Sequence, residues 1–337
     1  MKTSKTPLLS VIMPVFNGGE VFRQCLSKAL GSLPPNAELI VVDDCSTDGS
    51  AAIARTQNAR LLSMDRRSGP AEARNAGVRN ALGDIACFVD ADCEVHPDTF
   101  DRIVERFALD PGLGAVFGSY DDQPASPQFI AQYKNLMHHL VHHGGRREAF
   151  TFWAGCGAVR RELFQRVGGF DGRLYPRPSI EDIELGYRLR RAGARITLDS
   201  AIQVRHHKAW TLRSMVVTDL RDRAIPWTEL ILSGAPAAND LNLQYRDRIS
   251  AIGVWLLVLV LGFSIRRPRF LALALALTGI LLLLNRDVYR YLKQKRGAWF
   301  VTRAIPLHWL YYGYSLAGFA IGSIRTALRK AGPGSGT

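Results

Sequence analysis

Ala86-Cys87-Phe88-Val89-Asp90-Ala91-Asp92-Cys93-Glu94-Val95 is an apolar run that stops on two carboxylates one residue apart. Extended back to Ile85, its first half has the length and composition of a buried strand. Asp90 and Asp92 then project from the strand's C-terminal end, the edge at which open α/β sheets bind ligands. Two carboxylates at one strand end repel each other unless positive charge sits between or beside them. A divalent cation carrying a diphosphate meets that need. So does a plainer arrangement, in which one Asp caps the turn before Pro97 and the other is solvated.

The preceding sequence repeats the pattern. Residues 8–15 read as a strand closed by Pro14 and the turn Asn17-Gly18-Gly19, and 20–31 as a helix with Val21, Phe22, Cys25, Leu26, Ala29 and Leu30 at helical spacing. Residues 38–42 form a second strand that runs into Asp43-Asp44-Cys45-Ser46-Thr47-Asp48-Gly49, with a turn and helix start over 46–55. A short strand at 61–64 and a helix at 71–82, entered through Ser68-Gly69-Pro70, lead to the opening run. Four strands alternating with helices before residue 95 predict a mostly parallel α/β sheet covered on both faces. Right-handed crossovers bring the polar strand ends 14–17, 43–48 and 90–92 to one rim. Neither a Gly-x-Gly-x-x-Gly turn nor a P-loop is present, so a nucleotide would be held by side chains and a metal. Arg74 sits early in its helix, where its charge opposes the dipole. A nearby anion accounts for it, and so does a pairing with Glu72 or Asp65.

Beyond the Asp-x-Asp the pattern predicts a helix over 97–109 and a strand over 113–117. Residues 128–143 read as a helix carrying His138, His139, His142 and His143. Their spacing could bind metal, but no carboxylate or Cys accompanies them, and a polar surface facing an acceptor is the preferred reading. Phe152-Trp153-Ala154-Gly155-Cys156-Gly157 combines small residues that permit close backbone approach with a Trp able to stack on a sugar or pack in the core. In Ser179-Ile180-Glu181-Asp182 a carboxylate at a helix start is poised as a proton acceptor, although Ser179 with Asp182 also resembles a capping box. Two short strands, 196–198 and 202–204, end at His206-His207, where an imidazole could complete a metal site.

Composition divides the chain. Residues 1–245 look like a soluble α/β domain, whereas 249–265, 270–284 and 305–324 are strongly apolar and separated by basic linkers. The net charge of +13 is concentrated in part in Arg266-Arg267-Pro268-Arg269 and over 286–303. Basic residues beside apolar segments favour anionic cytoplasmic lipid and the positive-inside orientation, not a nucleic-acid partner. No apolar leader is visible in residues 1–9, so the soluble portion is expected on the cytoplasmic side. Five cysteines without metal-ligand spacing fit reduced thiols.

Taken in order, Ser10-Val11-Ile12-Met13-Pro14-Val15-Phe16-Asn17, Val41-Val42-Asp43-Asp44-Cys45-Ser46-Thr47-Asp48-Gly49, Arg74-Asn75-x-Gly77, Asp90-Ala91-Asp92 and Glu181-Asp182-x-x-Leu185 closely resemble family 2 of the inverting glycosyltransferases. The resemblance spans about residues 8–210. It implies the GT-A fold, a Rossmann-like α/β architecture with a mixed, mostly parallel sheet, and a nucleotide-diphosphate sugar used with Mg²⁺ or Mn²⁺. The apolar tail resembles the membrane helices of bacterial members acting on lipid-linked or cell-envelope acceptors, which implies membrane lipids as partners and the inner (cytoplasmic) membrane as location. The implied division is a catalytic domain over 1–211 (8–125 nucleotide-sugar half, 126–211 acceptor half), an amphipathic interfacial segment over 212–245 broken or kinked at Pro226, a membrane region over 246–325 with two or three apolar helices, and a flexible tail over 326–337.

Carried over position by position, Pro14, Val15, Phe16, Asn17 and Glu20 would border the nucleoside. Asp43 would hydrogen-bond a uracil-type base, Arg74 would steady the diphosphate, Asp90 would lie near the ribose, and Asp44, Ser46 and Ala91 would also contact the nucleotide sugar. Asp92 would bind the metal, with His206 a second metal or diphosphate ligand and His207 its rival. Trp153, Gly155 and Cys156 would line the acceptor side, and Asp182, with Glu181 as substitute, would be the catalytic base. Cys45 departs from the family's usual Gly. A metal-dependent nucleotidyltransferase and a catalytically silent membrane scaffold remain as alternatives.

Overall fold

A computed structural model describes residues 9–145, 147–235 and 244–331. Residues 1–8, used above to judge the leader, 236–243 of the expected interfacial segment and 332–337 of the expected tail lie outside the described residues. The chain divides into two compact units, Met1–Trp210 and Thr211–Thr337.

In the first unit β1 (Leu9–Val15), α1 (Gly19–Gly31), β2 (Ala37–Asp43), α2 (Ser50–Thr56), β3 (Arg60–Ser63), α3 (Pro70–Arg79) and β4 (Ile85–Val89) alternate as the sequence predicts. There follow β5 (Cys93–Val95), α4 (Thr99–Leu109), β6 (Leu113–Tyr120), α5 (Phe129–Gly144), β7 (Cys156–Arg160), α6 (Arg161–Arg166), α7 (Glu181–Arg191) and β8 (Arg195–His206). The eight strands form one sheet in the order β3-β2-β1-β4-β7-β6-β8-β5. The central strands are buried on both faces, as parallel strands covered by helices must be. On one face Val11, Met13, Val41 and Cys87 pack with Phe22 and Leu26 of α1 and Phe100 and Ile103 of α4. On the other, α3 comes so close that a Cβ on Gly77 would lie 2.4 Å from Ile12 Cγ2.

Register determines which ends share a rim. Val15 lies opposite Asp43 and Asp43 opposite Ser63, so the first three parallel strands end level. β7 runs antiparallel to β4, which sets Cys156, its first residue, against Val89, the last of β4. β6 and β8 run parallel to each other and finish at Tyr120 and His206, and antiparallel β5 begins there, with Cys93 opposite His206. One edge of the sheet therefore collects the residues after β1, β2, β4, β6 and β8 and those before β5 and β7.

Two elements differ from expectation. β5 was hidden because Cys93-Glu94-Val95 reads as the tail of an apolar run. β8 is one strand, not two: Phe117 pairs with Leu198 but Ser119 with Gln203, so the residues around Asp199 bulge out. Gly118 makes room, since a Cβ there would sit 2.1 Å from Ile202 O.

The second unit is helical. α8 (Leu212–Val217) opens on a capping box between Thr211 and Ser214, passes through a π-helical segment (Thr218–Ala224) and continues as α9 (Ile225–Leu232). Pro226 therefore does not break this stretch; the wider π turn lies just before it, where the proline ring would crowd an α-helical carbonyl. α10 (Tyr245–Ser264), α11 (Phe270–Leu284), α12 (Arg286–Arg296) and α13 (Ala298–Ala331) complete the unit. Among the described residues one helix, α10, is long and apolar enough to cross a membrane, or two if α11 and α12, bent by 65°, form a single span. Gly318 and Gly322 of α13 pack on Ala224 and Thr228, where added Cβ atoms would approach within 2.6 and 2.8 Å.

Candidate active site

The turns after β1 and β2 are laced together. Asn17 N–H donates to Ser46 Oγ at 2.9 Å, and Thr47 N–H donates to Asn17 Oδ1 at 2.7 Å. Gly19 N–H donates to Asp48 at 2.8 Å. Cys45 has φ 63°, a left-handed conformation that favours glycine, and its thiol donates to Met64 O at 3.2 Å. That contact gives the departure from the usual Gly a physical anchor. Asp43 is buried beside this turn and accepts from Ser46 N–H at 3.1 Å. Both oxygens of Asp44 are used by Ser68 N–H and Gly69 N–H at 2.6 and 2.8 Å, so Asp44 ties the entry of α3 to β2. Phe16 is exposed with the Arg67 guanidinium 3.8 Å over its ring, while Glu20 is exposed and pairs with Arg23. Pro14 and Val15 belong to β1 itself, and only Pro14 keeps some exposure.

Arg74 is the link between the two halves of the site. It is buried and donates to Asp90 Oδ1 at 2.6 Å and to Glu181 Oε1 at 3.0 Å, tying α3 to the end of β4 and the start of α7. Neither Glu72 nor Asp65 is its partner. Its Nε is buried without a hydrogen-bond partner. Burial works against both Arg74 and Asp90. The two carboxylates nevertheless hold the guanidinium above its usual range, whereas burial prevails at Asp90 and pushes its carboxyl up.

Asp92 lies across from His206, whose Nε2 is 3.6 Å from Asp92 Oδ2. Burial opposes the charge on Asp92, but His206 and then Lys208 outweigh it and bring its carboxyl down to about 2. His206 is stacked on Tyr120 with ring centroids 4.1 Å apart, whereas His207 turns to Glu94 at 2.7 Å. The geometry thus separates the two histidines, and only His206 faces the Asp-x-Asp. Ligand atoms of Asp90, Asp92 and Cys93 lie within 4.8 Å of one another. The Cys93 thiol is buried and pushed well up, so it stays protonated, and the carboxylate oxygens are the donors suited to a hard divalent cation. Arg74 occupies only one oxygen of Asp90. The residues present therefore fit a divalent cation held by Asp92 and Asp90, with His206 alongside. Ala91, between them, is half-buried.

Glu181 and Asp182 open α7 but differ in state. Glu181 is buried, with one oxygen on Arg74 and the other accepting from Ser179 N–H at 2.8 Å. Asp182 is half-buried and accepts from Ala154 N–H at 3.1 Å and Ile183 N–H at 2.8 Å. Burial, and then the neighbouring Glu181, push its carboxyl up to about 7. No side chain caps this helix, so the capping box read from Ser179 and Asp182 does not form.

The segment before β7 closes the site. Gly155 O accepts Asp90 N–H at 3.2 Å, and an added Cβ on Gly155 would meet Trp153 Cζ2 at 2.4 Å. Trp153 rests against Tyr120, His138 and His142 at centroid distances of 4.9, 5.1 and 5.3 Å. Cys156 is fully buried in β7, so its side chain faces the core and only its backbone borders the rim. The histidine-rich helix is likewise turned inward: Nδ1 of His139 and of His142 lie 2.8 and 3.0 Å from the carbonyls of Tyr120 and Gly118. The expected polar face is instead packing against β6. Gly155→Ala should lower stability by about 1–3 kcal/mol and lower activity with it, as read by thermal melts and turnover.

Tyr120 and Lys208 are neighbours of the site that the sequence reading passed over. The apolar run predicts a strand over 113–117, whereas β6 continues through Gly118 and Ser119 to Tyr120. A polar cleft of about 1270 Å³, lined by Arg66, Arg67, Glu72, Arg79, Arg173 and Arg188 among others, adjoins α3 and α7 but contains none of Asp90, Asp92 and Asp182.

Comparison with known proteins places this rim in context. Residues 10–168 match the family described as Glycosyl transferase family 2. The chain is 26% identical over 294 residues to the glycosyltransferase AglE of Haloferax volcanii, covering 82% of this chain and 88% of that protein. It is 30% identical to the glycosyltransferase GlyG of Streptococcus pneumoniae over 186 residues, covering 50% and 62%. Among solved structures, the mannosyltransferase PcManGT from Pyrobaculum calidifontis, in complex with GDP-Man and Mn²⁺, superposes with a TM-score of 0.65 at 22% identity, covering 94% of this chain and 88% of that one.

Proposed function

The chain is a family 2 glycosyltransferase on the GT-A fold, and from that premise we propose that it moves a sugar from a UDP- or GDP-linked donor, with inversion, to a hydroxyl of a lipid-linked or cell-envelope acceptor at the cytoplasmic face of the inner membrane. One observation carries the reading. A single buried Arg74 joins Asp90 of the Asp-x-Asp to Glu181, the residue beside Asp182, so the carboxylates that would hold a metal and the carboxyl that would take a proton share one rim.

The nucleoside would lie along the turn after β1, between the exposed Phe16–Arg67 pair and Asp43, with Asp90 near the ribose. A divalent cation, for which Mn²⁺ is the first probe, would be held by Asp92 with Asp90 and His206, and when bound it would stabilise the charge of the leaving diphosphate. Asp182 would take the acceptor hydroxyl proton as the oxygen attacks the anomeric carbon. Glu181 is committed to Arg74 and would position and tune that base instead of replacing it. Trp153 supplies a flat face for the acceptor side, with Gly155 beneath it. The exposed apolar surface of α10 supports membrane association.

The direct test is a panel of nucleotide sugars scored for metal-dependent hydrolysis. Release of nucleoside diphosphate from a UDP- or GDP-sugar, lost on chelation, is expected. Inertness toward the panel with release of pyrophosphate from a nucleoside triphosphate and a sugar phosphate would favour a nucleotidyltransferase, and inertness toward both a silent scaffold. Asp92→Ala should weaken donor binding at least tenfold in the presence of Mn²⁺ and leave metal-free binding unchanged; calorimetry showing equal affinity with metal would reject Asp92 as a ligand.

A further inference from the structure

Moving a sugar off its nucleotide breaks the bond between the anomeric carbon and the β-phosphate oxygen. The bonding electrons stay on that oxygen, so the diphosphate leaves with one more negative charge than it carried in the donor. A cation that meets this charge stabilises the transition state more than the ground state. Four carboxylates crowd the rim, Asp90, Asp92, Glu181 and Asp182, and both terminal nitrogens of Arg74 are taken by two of them. Arg67 is held over Phe16, at the nucleoside end. The Asp92 side therefore needs a positive charge of its own.

Lys208 stands there. β8 ends at His206, and His207 N–H donates to Asp92 O at 2.9 Å, which fixes the backbone leading into Lys208 against the Asp-x-Asp. After His206, the charge of Lys208 is the next to favour the ionised Asp92 carboxylate. The side chain is exposed and forms no ion pair among the described residues. It is nonetheless held in place: Nζ lies 4.3 Å from the ring centroid of Trp210, which is only 4% exposed. An ammonium resting on an indole face keeps N–H donors for an anion. Protonated, it has no lone pair for a metal, and a divalent cation at Asp92 would repel it. The ligand that draws both is an anion with several oxygens, and a diphosphate is one.

We infer that Lys208 is a catalytic residue that donates to the diphosphate of the donor and stabilises it as it leaves. The inference rests on the nucleotide-sugar reading of the site, and it gives Lys208 the duty that the sequence assigned to Arg74. Trp210 positions the ammonium, and His206 and Asp92 set its distance from the metal side.

The test uses the full chain in detergent. Calorimetry measures UDP and GDP, each with Mn²⁺, and Mn²⁺ alone, while uridine and guanosine are read by competition. Lys208→Met keeps an unbranched stem on Trp210 and removes the charge. Its affinity for the nucleoside diphosphate should fall about 10- to 100-fold, the loss of one charge-assisted hydrogen bond. Nucleoside affinity and melting temperature should not change, because the side chain is exposed. Mn²⁺ alone should bind as tightly as before or more tightly, since a like charge has been removed. Turnover at saturating donor should fall about tenfold or more, and Lys208→Arg should recover most of both losses. Undiminished nucleoside diphosphate affinity in folded Lys208→Met would overturn the assignment. A parallel loss of Mn²⁺ binding would also overturn it, by making Lys208 a support of Asp92. If the wild-type protein bound neither nucleoside diphosphate with Mn²⁺, the nucleotide-sugar reading itself would fall and take the assignment with it.

Discussion

Asp182→Asn should lower turnover by about 10²–10⁴ while leaving donor affinity unchanged. The asparagine is nearly isosteric but keeps one acceptor oxygen, for either Ala154 N–H or Ile183 N–H, so one of these two backbone bonds is lost while the residues proposed to hold the donor are unchanged. What it loses is the capacity to take a proton. The wild-type carboxyl is raised to about 7, so kcat/KM should rise with pH up to that region and level off above it, because the ionised form is the base. Stability should run the opposite way. A carboxyl raised from an unfolded value of about 4 to about 7 favours the folded state fully below about pH 4, and that contribution is lost as pH rises through 7. At pH 8 the uncharged variant should therefore melt higher than wild type, by about 1–2 kcal/mol after allowing for the solvent-exposed side of Asp182. The two should converge toward pH 4. A variant that turns over like wild type would remove Asp182 from the base role, whatever its melting curve.

Glu181 makes a related demand on the same profile. Its charge is the second cause of the raised Asp182 carboxyl, so Glu181→Gln should move the acid limb of the pH profile down. A residue serving only as a strut would weaken the fold and leave the limb in place.

The parts of this site legible in the sequence are those where local pattern and chemistry coincide. Asp90 and Asp92 end an apolar run, Asp43 ends another, and alternation of strand and helix is enough to bring such ends to one rim. What the pattern could not supply was long-range pairing. Arg74 and Glu181 are 107 residues apart and meet only because β7 inserts antiparallel beside β4 and carries α7 with it. The same insertion explains Trp153 and Gly155, which border the rim because β7 starts where β4 stops. His206 and His207 are indistinguishable as a dipeptide. Strand alternation separates them, one toward Asp92 and the other toward Glu94, and that depends on β5, a three-residue strand too short to leave a periodic signal. The histidines of α5 misled for the opposite reason, since their i and i+4 spacing is real but their partners are carbonyls of β6, which composition does not reveal.

Arg74→Ala should be the most destabilising single substitution in the site, by about 3–5 kcal/mol, because it leaves Asp90 and Glu181 without the counter-charge that links them. The sequence reading gave Arg74 a different duty, contact with the diphosphate, and the two roles predict different results. Both terminal nitrogens of the guanidinium are already engaged by carboxylates. A bridging Arg74 should respond to Arg74→Lys with a clear fall in melting temperature even without donor, since a single ammonium cannot reproduce a fork that reaches two carboxylates. A diphosphate-binding Arg74 should instead keep the unliganded melting temperature in Arg74→Lys and lose only donor affinity. Adding Glu181→Gln to Arg74→Ala separates them further: for a bridge, the double variant should regain part of the lost stability, as one of the stranded charges is removed. Strict additivity of the two substitutions, with donor affinity alone affected, would return Arg74 to the diphosphate and leave the link between the metal side and the base to the backbone.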